Sequence, residues 1–233
     1  MRFILLLTLS VHFLMIRAQQ PVENDSLPFD VQKQSIIYQS AVRYSDPLIA
    51  RMALYNFLAY NPSNTAILDS LALSYTNAGM VASAAIVAQD VLSLNPKDML
   101  ATEIAAVSFE RLGLKDKSLS YYEVLYLNKQ ELMTLYKMAF LQMELKRYTE
   151  AQTSTDIIIN DTTSVHELLL FKDAEQNQQS VPLNAEALRL KALVAQDQEK
   201  IEEAIGYLTR SLAISPDFYV AQVQLKTLQD KEK

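Results

Sequence analysis

The chain of 233 residues has no cysteine and no tryptophan, and it has only three glycines and two histidines. Each scarcity excludes chemistry. Without cysteine there is no disulfide framework, thiol nucleophile, zinc knuckle or iron–sulfur site. Three scattered glycines cannot build a phosphate-cradling loop or a dinucleotide fingerprint. Sheet-rich folds with many tight turns use more glycine than this. The remaining composition, 50% hydrophobic and 21% charged, favours a helical protein long enough to bury a substantial core.

The N-terminus starts Met1-Arg2 and continues with an apolar stretch over 3–16, then Arg17 and the small Ala18. Such a charged start, short apolar run and small residue is the pattern of a signal peptide over 1–18. A membrane span wants about 20 apolar residues, so an uncleaved anchor is the lesser alternative. No cysteine follows for lipid attachment, and no stable membrane anchor is expected after cleavage. Loss of Arg2 and Arg17 takes Lys+Arg from 21 to 19 against 27 Asp+Glu, so the charge goes from −6 to −8. An acidic exported chain is a poor ligand for nucleic acid. Export without cysteine fits the periplasm of a Gram-negative bacterium or secretion. Residues 19–30, polar with Pro21 and Pro28, read as a flexible leader.

Beyond the leader, helical periodicity is nearly continuous, and its punctuation recurs. Tyr60-Asn61-Pro62 and Leu94-Asn95-Pro96 stop helices 34 residues apart, and Ile214-Ser215-Pro216 stops another. In 65–98 a first helix carries Leu68, Leu71, Ala72 and Tyr75 on one face, Gly79 makes the turn, and a second helix carries Ala84, Ala88, Val91 and Leu92. Gly113 repeats Gly79 one period later. Ala50, Ala84, Ser118, Ala151 and Ala204 repeat the small residue at which two helices can approach closely.

This pattern resembles the tetratricopeptide repeat. Leu68 stands for the usual Trp, Ala72 for Gly and Ala88 for an aromatic residue. Five units fall at 31–64, 65–98, 99–132, 132–165 and 185–218, with an insertion at about 166–184 and a polar-faced capping helix at 219–233. The resemblance implies an all-α fold, a right-handed α-α superhelix (a TPR solenoid). The insertion has two apolar runs, Leu168–Phe171 and Val181–Leu183, around a polar loop, which reads as a small β-hairpin. The competing reading is a helix capped by Ser164 with Glu167 three residues on.

Catalysis is not expected. His166 is the only histidine after residue 18, and no glycine turn is available for an oxyanion hole. No cofactor or metal is expected. Membership of such an array implies instead a concave groove lined by the first helix of each unit. Its residues are Ser35, Gln39, Val42 and Arg43; Asp69, Leu73, Thr76 and Asn77; Glu103, Val107, Glu110 and Arg111; Tyr136, Phe140, Met143 and Glu144; and Arg189, Leu193, Gln196 and Asp197. The column Gln39, Leu73, Val107, Phe140, Leu193 is mostly apolar, and the column Arg43, Asn77, Arg111, Glu144, Asp197 is polar. Paired stripes of this kind suit an amphipathic helix or an extended peptide. Tyr136, Phe140 and Met143 are the densest anchor cluster, unless they pack on the next helix or beneath the insertion. The candidate partner-binding residues are therefore Leu73, Asn77, Val107, Arg111, Tyr136, Phe140, Met143 and Leu193. The clamp with which chaperone-tail-binding members hold a terminal carboxylate is missing, because Asp69, Glu103, Leu73 and Val107 stand in its places.

The expected function is a non-catalytic interaction scaffold of the cell envelope with a protein or peptide partner. Two alternatives are an oligosaccharide-binding component, which the lack of Trp disfavours, and an outer-membrane assembly factor, which the lack of a lipid-attachment Cys disfavours.

Overall fold

The computed structural model describes residues 28–231, with eleven helices and one hairpin among them. The signal peptide expected at 1–18 lies outside the described residues. Helices α1 (Phe29–Arg43) and α2 (Pro47–Tyr60) form the first pair. Then come α3 (Thr65–Asn77) with α4 (Val81–Leu94), α5 (Met99–Arg111) with α6 (Lys115–Lys129), and α7 (Leu132–Glu144) with α8 (Tyr148–Asn160). Strands β1 (Leu168–Lys172) and β2 (Gln178–Pro182) follow, then α9 (Leu183–Asp197) with α10 (Ile201–Ile214), and last α11 (Tyr219–Lys231). The pairs stack in order as a right-handed α-α superhelix, each resting on its neighbours.

Local chemistry explains the boundaries. Asp46, Asn64 and Asp98 are N-caps whose side chains accept the backbone N–H groups of Ile49, Ile67 and Ala101 at 3.2, 3.2 and 3.1 Å. Asn61, Asn95 and Ser215, each just before a proline, end α2, α4 and α10 in extended backbone. The first helix of every pair ends in the same left-handed turn. Gly79 and Gly113 occupy it at φ of 69° and 73°, and Ser45, Lys146 and Glu199 occupy it at 56°, 60° and 61°. Just beyond it, the N–H groups of Asp46, Met80, Leu114, Arg147 and Lys200 reach back to the carbonyls of Ala41, Tyr75, Phe109, Gln142 and Ala195 at 2.8–2.9 Å. This is the Schellman closure, repeated five times.

The small residues of the second helices are all buried, with Ala84, Ser118, Ala151 and Ala204 fully enclosed. The core runs along the array in three clusters: one around Leu54, Leu71 and Val91; one around Leu119, Leu135 and Ile158; and one around Ala192, Leu208 and Phe218. No helix among the described residues is long and apolar enough to cross a membrane.

The insertion is a two-stranded antiparallel hairpin, with Leu168 opposite Pro182 and Lys172 opposite Gln178. Its alternation decides what it covers. Leu169 packs on the second core cluster, while Phe171 and the fully buried Val181 pack on the third. The Phe171 ring meets Phe218 with centroids 4.9 Å apart. Gln179 donates to the Asp217 carbonyl and accepts the Tyr219 N–H at 3.1 Å. The hairpin thus joins the last two clusters. The capped-helix alternative fails because Ser164 donates its hydroxyl to the Asp161 carbonyl at 2.6 Å instead of capping.

Two boundaries differ from expectation. The leader was expected to run to residue 30, but α1 begins at Phe29, since Pro28 takes the N-cap position. The fifth unit was expected from 185, but α9 begins at Leu183, directly after Pro182. A proline cannot donate within a helix but is well placed at its start.

Candidate functional site

A concavity lies at the N-terminal end of the described residues. α3 presents Ser70, Leu73, Ser74 and Asn77 at spacings of 3, 1 and 3, a single helical face. Across from it stand Tyr38, Ala41 and Val42 of α1, the turn residues Ser45 and Asp46, and Ala50 and Leu54 of α2. Together they enclose a cleft of about 560 Å³. Its walls are mostly aliphatic and aromatic, with hydroxyl and amide groups along the α3 side. That combination suits a side chain with an apolar body and a hydrogen-bonding backbone. Asp46 is the one acidic or basic side chain in the lining, and one of its oxygens is taken by its capping bond.

A second, smaller cleft of about 210 Å³ lies farther along, between α5, α6 and α7. Val107, Leu125 and Met133 line it with Glu103, Lys129 and Lys137. Its lysines are paired: Lys129 meets Glu103 at 3.7 Å, and Lys137 meets Glu110 at 2.9 Å. Glu110 also accepts the Tyr122 hydroxyl at 2.7 Å. Burial first, and that hydrogen bond second, hold the Tyr122 phenol above its ordinary range.

Stacked helix pairs with a concave face of this kind recur in known structures. YrrB, a TPR protein with an unusual peptide-binding site, superposes with a TM-score of 0.66 at 13% identity, over 81% of this chain and 88% of its own. A tetratricopeptide repeat protein from Parabacteroides merdae gives 0.61 at 19% identity, over 85% and 72%. MamA from Desulfovibrio magneticus gives 0.61 at 11% identity, over 83% and 99%. The chain has the tetratricopeptide-repeat fold. No protein-family model and no curated protein sequence matches it.

Within the tetratricopeptide frame, the expected groove residues fall into separate groups. Leu73 and Asn77 line the α1–α3 cleft, and Val107 lines the second. Arg111 is exposed at the end of α5. Phe140, Met143 and Leu193 are half-buried and line neither cleft. Tyr136 packs between α7 and α9, with its hydroxyl 3.1 Å from the Glu186 carboxylate. Burial, followed by that carboxylate, raises its phenol.

Glu186 is fully enclosed and takes Arg189 in a two-point pair at 2.6 and 2.7 Å. Burial opposes the charge of Arg189, but the bonds to Glu186 outweigh it and the guanidinium is held above its usual range. Arg189 also lies 5.9 Å from the Phe218 ring centroid and 3.5 Å from the Gln224 amide oxygen. This polar seam joins α7, α9 and α11.

Tyr38, Ser74 and Asp46 are cleft residues that the groove periodicity missed. Tyr38 reads as a packing position of the repeat, and Asp46 reads as a helix start before Pro47. Only the spread between the first two first-helices brings them together. His166 is exposed, and no group of metal-binding side chains occurs among the described residues.

Proposed function

We propose that this chain is a non-catalytic interaction scaffold of the cell envelope that holds a protein or peptide partner in its concave groove. The α1–α3 cleft is the anchor site. The observation that carries this reading is the cleft itself, which is large, mostly apolar and edged by the hydroxyl and amide groups of Ser70, Ser74 and Asn77 on α3. YrrB, a structural neighbour with a peptide-binding site, supports the partner class. The apolar stretch at 3–16 and the small Ala18 support export. In the groove Asp46 caps α2, and Glu103 and Glu110 pair with Lys129 and Lys137, roles that hold the fold.

The test is selection from a phage-displayed library of random twelve-residue peptides on the immobilised full chain. Enriched peptides are expected to bind by fluorescence polarisation and to lose at least tenfold in affinity to Leu73→Asp. Glu203→Gln, exposed on the second helix α10 and outside the cleft, serves as the control. Failure to enrich any peptide, or equal binding to Leu73→Asp, overturns the assignment.

A further inference from the structure

A groove carboxylate one helical turn from the cleft residue Leu73, that of Asp69, has no cation to answer it among the described residues. Asp69 lies four residues before Leu73 on α3, hence on the same face and about 6 Å along the helix axis. It is half-buried, and one of its carboxylate oxygens is enclosed without a hydrogen-bond partner. No ion pair among the described residues includes it. Its nearest charged influence is another acid, Asp98, whose own oxygens are taken by Ala101 and Asn95. No basic side chain lines the cleft; Arg51, behind it, is turned to the Ser74 carbonyl and the Tyr75 ring.

We infer that the cleft selects an extended peptide that places an apolar side chain against Leu73 and a lysine or arginine two residues away against Asp69. This rests on the peptide-binding reading of the groove above. The spacing follows from geometry. An extended peptide advances about 6.6 Å over two residues, close to the rise of about 6 Å from Asp69 to Leu73 along α3. Charge complementarity points the same way, since the chain is acidic and this carboxylate has no other partner. Burial, reinforced by Asp98, already pushes the Asp69 carboxyl up to about 6. The apo protein therefore carries an unfavourable charge that an incoming cation relieves.

The test uses the peptides recovered by the library selection. Those that require Leu73 are expected to be enriched in Lys or Arg two positions from an apolar residue. For a synthetic peptide of that pattern at pH 7.5, Asp69→Asn should weaken binding about tenfold. The matched peptide with Gln in place of the basic residue should bind wild type and Asp69→Asn alike. Asp69→Lys should reverse the preference toward a Glu-bearing peptide, and circular dichroism should show wild-type helicity for both variants. Leu73-dependent peptides without basic enrichment, or equal loss with the Gln peptide, overturn this inference while leaving the peptide-binding reading intact. If no peptide enriches, both fall.

Discussion

Glu186 and Arg189 offer the sharpest test of how the array is held together. The acid is fully enclosed, Arg189 is 9% exposed, and two bonds of 2.6 and 2.7 Å join them. Glu186→Ala leaves the guanidinium with the Gln224 oxygen at 3.5 Å and the Phe218 ring at 5.9 Å, neither of which replaces a carboxylate. An uncompensated buried charge of this kind costs about 3–5 kcal/mol. It also orphans the Tyr136 hydroxyl, which adds about 1 kcal/mol. The double variant Glu186→Met with Arg189→Met removes both charges and keeps their volume, and should lie within about 1 kcal/mol of wild type. Urea denaturation followed by circular dichroism measures the cost, and amide exchange shows whether α7, α9 and α11 lose protection together. A Glu186→Ala variant within 1 kcal/mol of wild type would refute the reasoning. So would a double variant as unstable as the single one, which would mean that packing rather than charge pairing controls the seam.

The left-handed turn gives a pair of opposite effects. Gly79→Ala should cost about 1 kcal/mol, because nothing lies within 4 Å of the added methyl and only the φ of 69° opposes it. Lys146→Gly, at φ 60° in the equivalent turn, should gain about 0.5–1 kcal/mol. Both are read from urea midpoints, and a shared sign would refute the equivalence. Ala84→Leu, at a fully enclosed position, should lower stability by about 1–3 kcal/mol through overpacking, measured as a fall in Tm. Asp69 binds its proton more tightly in the fold than in the unfolded chain, so its contribution is present below the ordinary value of 3.8 and is lost as pH rises through about 6. Asp69→Asn should therefore gain stability between pH 4 and pH 7.5. Full burial would make the gain about 3 kcal/mol, and solvent on the carboxylate's open side reduces it to about 1 kcal/mol. Denaturation curves for the two proteins that stay parallel across this range would count against the shifted carboxyl.

What the sequence disclosed and what it hid follow from the range of the interactions. Repeat punctuation is local: Asn61-Pro62 and Asn95-Pro96 stop helices by steric restriction within two residues, and it was legible. The turn glycines were legible only where glycine is used. Ser45, Lys146 and Glu199 adopt the same backbone without a glycine to announce it, because the Schellman bonds and the packing of each pair enforce the turn. The hairpin showed in its apolar runs around a polar loop. Its role did not, since Phe171 and Gln179 meet residues 47 and 40 positions away at Phe218 and Tyr219.

The site divides along the same line. A column of groove positions can be counted along the sequence, and counting located Leu73 and Asn77 at the cleft. Counting cannot tell an open position from one closed by a neighbour. Tyr136 shares the register of Asp69, but Glu186 on α9 draws it into the seam, whereas Asp69 meets only another acid. One first-helix position thus serves two opposite ends. At Tyr136 a satisfied hydroxyl joins two repeats, and at Asp69 an unsatisfied carboxylate weakens the fold at neutral pH. On the proposed peptide-binding reading, a basic ligand would remove that weakness. That asymmetry between equivalent positions is why the N-terminal end of the groove, rather than its aromatic centre, is the better place to look for a partner.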